Sequence, residues 1–222
     1  MPPAVTFIGW HDSGKTTILC QVIRRLREKG YRIGVIKSSK HRDVQFDTPG
    51  SDTGRLAEAG AESVAFVSPD RMVIMGKNNG LPFLTMAQRF FPDMDMVIGE
   101  GFKNAEGVDK IEVAGSKSSQ NLRDTVSGVI AVISSRPAAG CHLFRPEETR
   151  EVADFLEERY ILAARELPSA SLIVNGRNIP LTGFVQDCLA GTVAGFISSL
   201  KHTEEATEIE VSVKIPEKNI SR

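Results

Sequence analysis

Gly9-Trp10-His11-Asp12-Ser13-Gly14-Lys15-Thr16 follows the spacing G-x-x-x-x-G-K-[ST], and its surroundings decide the fold. Before it, Val5 to Ile8 is a short apolar run. After it, Thr17 to Glu28 carries Ile18, Leu19, Val22, Ile23 and Leu26 at helical spacing, with Gly30 placed to stop the helix. The octapeptide thus joins a buried strand to an amphipathic helix. There its glycines let successive N–H groups face an anion, and the helix aims its positive end at the same point. Lys15 is placed to reach the β- and γ-phosphates of a nucleoside triphosphate, and the Thr16 hydroxyl to ligate Mg²⁺. About 0.01 such matches are expected by chance in a chain of this composition, so the pattern is specific. The candidate nucleotide-binding residues are Gly9, His11, Asp12, Ser13, Gly14, Lys15, Thr16 and Thr17. Trp10 and His11 are expected to shape the loop or stack on a partner rather than to perform chemistry.

Downstream, Arg32 to Ile36 reads as a second buried strand, followed by a polar stretch from Lys37 to Asp52 that is long for an idle connection. Thr53 to Ala59 is a short helix closed by Gly60, and Ser63–Val67 with Arg71–Met75 a hairpin. Leu81 to Phe91 is a helix with Leu84, Ala87 and Phe91 inward. Met94–Ile98, Lys110–Val113 and Val129–Ile133 are further strands, and Pro146 to Tyr160 a well-marked helix. Strands interleaved with helices predict an α/β fold of the P-loop NTPase type. Its sheet should be mostly parallel, with helices on both faces and mixed by the 63–75 hairpin. Past Pro168 the texture changes. Asn175-Gly176 between two short apolar runs signals a hairpin, a helix runs from about Phe184 to Leu200, and Ile209, Val211, Val213 and Ile215 alternate like a half-buried strand. The expected division is a nucleotide-binding domain over residues 1–165 and a small C-terminal extension over 166–222.

An acid should complete the phosphate site by holding Mg²⁺ or positioning the attacking group. Glu100 follows the Met94–Ile98 strand, at the carboxyl end where open α/β sheets place their ligands. Asp47, in Asp47-Thr48-Pro49-Gly50, sits in the long polar loop and formally matches the Asp-x-x-Gly of switch regions, although about one such match is expected by chance. Asp52 is a weaker version of the same idea. Glu100 and Asp47 are therefore the candidate catalytic and metal-holding acids. Lys37, Lys40, His41 and Arg42 make the start of that loop basic, which suits an anionic partner, a phosphate or a solvated loop. No Asn/Thr-Lys-x-Asp stretch for guanine readout follows the late strand, where the chain reads Ser134-Ser135-Arg136-Pro137. The residues alone leave GTP and ATP open.

Composition narrows the class. With 222 residues, 41% hydrophobic and 25% charged, the chain suits an ordinary soluble protein. A net charge of -1 gives no global field toward nucleic acid or an anionic membrane surface. No apolar run approaches the roughly 18 residues of a membrane span. Met1 to Gly9 shows no signal peptide. Cys20, Cys141 and Cys188 are scattered, as expected of small buried hydrophobes in a reducing cytoplasm, not of a disulfide framework or a zinc site.

Several segments fall in a telling order: Gly9 to Thr17, Lys37 onward, Phe46-Asp47-Thr48-Pro49-Gly50-Ser51-Asp52-Thr53, Glu58-Ala59-Gly60-Ala61, Glu100-Gly101-Phe102-Lys103 and Lys110-Ile111-Glu112-Val113. Together they resemble the molybdopterin-guanine dinucleotide biosynthesis protein B (MobB) family over roughly residues 4 to 160. The resemblance implies a GTP-binding protein with weak hydrolysis, usually a homodimer. Such a protein assists the guanylyltransferase that attaches GMP to molybdopterin for molybdenum and tungsten enzymes, and works beside molybdopterin or the molybdoenzymes themselves. Lys15 and Thr16 carry over as phosphate and magnesium residues, Glu100 as the acid after the third strand, and Asp47 more loosely. Family members often carry further histidines after the residue matching Lys37, where this chain keeps only His41. A small-molecule kinase and a metallochaperone-type GTPase switch are the alternative readings; the first needs a general base, the second a Cys/His/acid cluster.

Overall fold

In the computed structural model, the residues described are 2–41, 44, 48, 50–115, 121–137, 140–165, 170–203 and 205–215. The apolar run before the glycine-rich loop is strand β1 (Ala4–Ile8), and the loop opens directly into helix α1 (Lys15–Glu28). Ile18, Leu19, Val22 and Leu26 form its buried stripe. The helix ends as its sequence demands. Gly30 takes φ 90°, its N–H donates to the Arg27 carbonyl at 2.9 Å, and Tyr31 donates to Leu26 at 3.1 Å.

Next come β2 (Ile33–Lys37), α2 (Asp52–Glu58), the hairpin β3 (Ser63–Val67) and β4 (Met72–Gly76), α3 (Phe83–Phe90), β5 (Met96–Glu100) and β6 (Asp109–Val113). A 3₁₀ turn at Leu122–Asp124 leads to β7 (Val129–Ile133), β8 (His142–Phe144) and α4 (Thr149–Leu156). That helix continues through a π-helical stretch, Glu157–Leu162, into a last turn, α5 (Ala163–Arg165). The chain then forms β9 (Leu172–Val174), β10 (Arg177–Ile179) and α6 (Gly183–Ile197).

The central sheet runs β2-β5-β1-β6-β7-β8. Every pairing in it is parallel. The 63–75 hairpin forms as expected but pairs only with itself, so antiparallel pairing stays outside this sheet. Strand β8, three residues long, is an addition to the sequence reading. One face of the sheet buries Val5, Phe7, Ile98, Ile111 and Ile133 against α1 and α4; the other packs Val97 against Phe83 and Ala87 of α3. Helices therefore cover both faces. Strands β1 and β6 are neighbours whose onward connections leave toward opposite edges, which opens a crevice at their carboxyl ends. The glycine-rich loop sits in it.

The C-terminal hairpin turns at Asn175 (φ 50°) and Gly176 (φ 75°), the paired left-handed residues of a tight two-residue turn. It docks on α3, where the Asn178 N–H donates to Thr85 Oγ1 at 3.2 Å and its side-chain amide to Gln88 Oε1 at 3.1 Å. Helix α6 has no buried residue, and Phe184 is 78% exposed. Two expectations fail. Residues 209–215 form no strand, and Val211, Val213 and Ile215 lie exposed, because alternation selects a face only when another strand supplies the hydrogen bonds. Cys20 and Cys188 are exposed and Cys141 half-buried. Cys20 lies off the stripe set by Leu19, Val22 and Leu26. No helix among the described residues is long and apolar enough to cross a membrane.

Candidate functional site

Gly9 leaves β1 where there is room for no side chain. A Cβ there would stand 2.5 Å from the Val113 carbonyl oxygen and 2.6 Å from Ser13 Oγ. Asp12 (φ 57°) and Gly14 (φ 88°) then take left-handed conformations, which curls the loop over the start of α1. An unfilled helix N-terminus needs an acceptor for its first N–H groups, and Gly14 supplies no side-chain cap. The Lys15 ammonium folds back over the loop, donating to the Trp10 carbonyl at 2.7 Å and the Gly9 carbonyl at 3.1 Å. Burial pushes its pKa below the ordinary lysine value and outweighs the opposing charge of Glu100; Lys37 adds to the lowering and Asp12 resists it. His11 Nδ1 lies 2.8 Å from Asp12 Oδ2, both side chains projecting into solvent.

Glu100 ends β5, beside β1, and the fold carries it to the first turn of α1. Thr16 Oγ1 donates to Glu100 Oε1 at 2.8 Å, across 84 residues of sequence. Lys37, the last residue of β2, donates to the same oxygen at 2.8 Å and reaches Thr16 Oγ1 at 3.5 Å. Burial alone would raise the pKa of Glu100. Hydrogen bonds from Lys37 and Thr16, with the charges of Lys37 and Lys15, override it and hold the carboxyl below the usual range. A hard oxygen pair with a cation already against it has the donor chemistry of a magnesium site.

After Glu100 the chain makes a sharp turn through Gly101 (φ 98°) and Phe102 (φ 55°), a left-handed conformation unusual for a bulky residue. The turn packs Phe102 on Phe83, with ring centroids 5.0 Å apart, and carries the Lys103 ammonium to 5.7 Å from the Trp10 ring centroid. The result is one cavity of about 1120 Å³, walled by the glycine-rich loop, Lys37–His41, Leu81–Phe83 and Glu100–Ala105. One side is cationic and rich in N–H groups; the other carries Leu81, Phe83 and Phe102.

Of the acids read from sequence, the structure joins Glu100 to Thr16, whereas Asp47 lies outside the described residues. Asp52 starts α2, whose Ser51 side chain caps the Gly54 N–H at 3.0 Å. Two contacts escaped the sequence reading. Lys37 meets Glu100 because β2 and β5 are neighbours, with Lys37 in register with Glu100. Glu112, 1% exposed, accepts the Leu122 N–H at 2.6 Å and the Arg123 N–H at 3.1 Å, which pins the connection between β6 and β7. A charged residue inside a short apolar strand was the available signal.

Comparison with known proteins places this architecture. The sequence pattern of the family described as molybdopterin guanine dinucleotide synthesis protein B matches residues 4–135. The chain is 33% identical over 160 residues to a molybdopterin-guanine dinucleotide biosynthesis adapter protein of Haemophilus influenzae, covering 70% of this chain and 88% of that protein. A putative adapter of the same description from Methanocaldococcus jannaschii is 26% identical and matches over 94% of this chain and 96% of its own length, so the likeness extends past residue 165. Among solved structures, a crystal structure of molybdopterin-guanine biosynthesis protein B superposes with a TM-score of 0.57 at 28% identity, covering 70% of this chain and 97% of the other.

Proposed function

This chain belongs to the molybdopterin guanine dinucleotide synthesis protein B family, and from that premise we propose that it is a GTP-binding adapter in guanylation of molybdopterin. The observation that carries the nucleotide half is the meeting of Thr16 with Glu100 beneath the glycine-rich loop. In this reading the loop's N–H groups and the positive end of α1 receive the β-phosphate. Lys15 exchanges the Gly9 and Trp10 carbonyls for phosphate oxygens, and its burial strengthens that attraction. Thr16 and Glu100 would hold Mg²⁺, which neutralises charge on the phosphate oxygens when bound.

Hydrolysis is expected to be weak for a reason visible in Glu100. A carboxylate that would be committed, with Thr16, to holding Mg²⁺ is a poor proton acceptor for an attacking water. Asp47 stays a candidate second acid on its place in the sequence alone. Guanine preference rests on the family. We also infer a nucleotide-binding domain up to about residue 165, a C-terminal extension beyond it, a cytoplasmic location, and a homodimer able to bury the apolar surface that Val67, Met72 and Ile74 expose on one face of the β3–β4 hairpin. The partner in this reading is the molybdopterin guanylyltransferase.

Reconstitution tests the role. Dinucleotide formation by the transferase from molybdopterin and GTP should rise when the wild-type protein is added. Lys15→Ala should give no rise, although it folds. Equal stimulation by both proteins would remove nucleotide binding from the function; no stimulation by either would remove the adapter role.

A further inference from the structure

Resting on the reading of Gly9–Thr16 as a triphosphate site, we propose that Lys37 is a built-in counter-cation for Thr16 and Glu100, and that the divalent cation must displace it. The ammonium stands where a cation is wanted, 2.8 Å from Glu100 Oε1 and 3.5 Å from Thr16 Oγ1. Those two oxygens are themselves 2.8 Å apart, so one carboxylate oxygen serves the hydroxyl and the ammonium together. A divalent ion and its hydration shell cannot share that oxygen with a lysine without strong like-charge repulsion.

The burial on each side says which partner yields. The Glu100 side chain is 12% exposed and fixed by its strand, whereas that of Lys37 is 58% exposed on a flexible four-carbon stem. The Lys37 backbone stays put, because it pairs with Glu100 in the sheet and the next N–H, of Ser38, donates to the Glu100 carbonyl at 2.9 Å. Only the side chain swings. It remains in the cavity that holds Lys15, where a terminal phosphate is the anion left to receive it.

Two consequences separate this role from a general attraction of phosphate. Before metal arrives, Lys37 neutralises Glu100 and so permits metal-free nucleotide to bind. After metal arrives, the same lysine is a competitor already displaced. Removing it should strengthen metal binding and weaken metal-free nucleotide binding, whereas a lysine that merely attracted phosphate would lower both nucleotide affinities and leave their ratio alone.

The test compares wild type with Lys37→Met and Lys37→Gln, both at an exposed side chain. Mn²⁺ alone, followed by electron paramagnetic resonance on nucleotide-free protein, should bind about tenfold more tightly to the variants. GTP titrations with Mg²⁺ and with a chelator, read by the fluorescence of Trp10, the only tryptophan, should show the ratio of the two affinities rising about tenfold. Mn²⁺ affinity within twofold of wild type, or a ratio within twofold, overturns the proposal. If wild type binds no GTP under either condition, the triphosphate reading falls instead, and the Mn²⁺ arm still decides whether Lys37 holds the metal pair.

Discussion

Replacing Gly9 by alanine tests the loop at its root. A Cβ at this position would meet the Val113 carbonyl oxygen at 2.5 Å, and that oxygen belongs to a central strand flanked by β1 and β7. To reach ordinary contact at 3.4 Å the loop must retreat by about 0.9 Å, since the sheet cannot. The Ser13 hydroxyl, 2.6 Å away, can rotate and is the lesser obstacle. Overpacking of this kind costs about 1–3 kcal/mol of stability. In a chain of this size that lowers Tm by about 2–12 °C. Nucleotide affinity should suffer through geometry. One charge-assisted N–H bond to phosphate put out of line costs about 1.5–3 kcal/mol, a ten- to hundredfold loss. Calorimetric titration of GTP with Mg²⁺ measures the second quantity and a thermal melt the first. Gly30→Ala is the matched control. Open space surrounds Gly30, but its φ of 90° strains an alanine, so it should lose about 1 kcal/mol with no change in affinity. A Gly9→Ala protein that binds GTP within twofold of wild type would refute the argument that this loop, as placed, cradles the phosphates.

Glu112→Ala strands two N–H donors, those of Leu122 and Arg123, at about 1–3 kcal/mol each. Urea denaturation should show a loss of about 2–6 kcal/mol, and a loss below about 1 kcal/mol would show that water replaces the carboxylate there. Lys29→Met removes the donor, at the end of α1, that Asp154 of α4 and Glu157 of the π-helical stretch share, for about 0.5–1 kcal/mol at neutral pH. Hydrogen bonds from Lys29 and Tyr31 lower the Glu157 pKa, so that contribution is present above the ordinary carboxylate value and is lost as pH falls through the folded one. Hydrogen bonds to Asp154 and Glu157 raise the Lys29 pKa, so its share is present below the ordinary lysine value and is lost only as pH climbs past the folded one. Thermal melts of variant and wild type should differ at neutral pH and converge in strong acid; a gap unchanged in acid would contradict the pairing.

How much was legible in the sequence follows from the range of each signal. The strand, loop and first helix were legible because the glycines, the apolar stripe and Gly30 are all local. Both hairpins were legible because turn chemistry is local too. Strand β8 escaped notice because His142–Phe144 is too short to show periodicity. The Lys37–Glu100 contact depends on β2 lying beside β5, an order set by packing rather than by either segment. The 209–215 tail shows the reverse error, in which a local pattern had no partner to complete it. For the cysteines, type averages misled where the position of Cys20 on its helix could have corrected them.

The most direct test of the central claim is a side-by-side titration of GTP and ATP, each with Mg²⁺, on wild type and on Lys15→Ala, whose ammonium lies on the loop and not in the core. The account predicts that wild type binds GTP in preference to ATP, and that Lys15→Ala folds but loses at least about 2–3 kcal/mol of GTP affinity. Equal GTP affinity in the two proteins would contradict it.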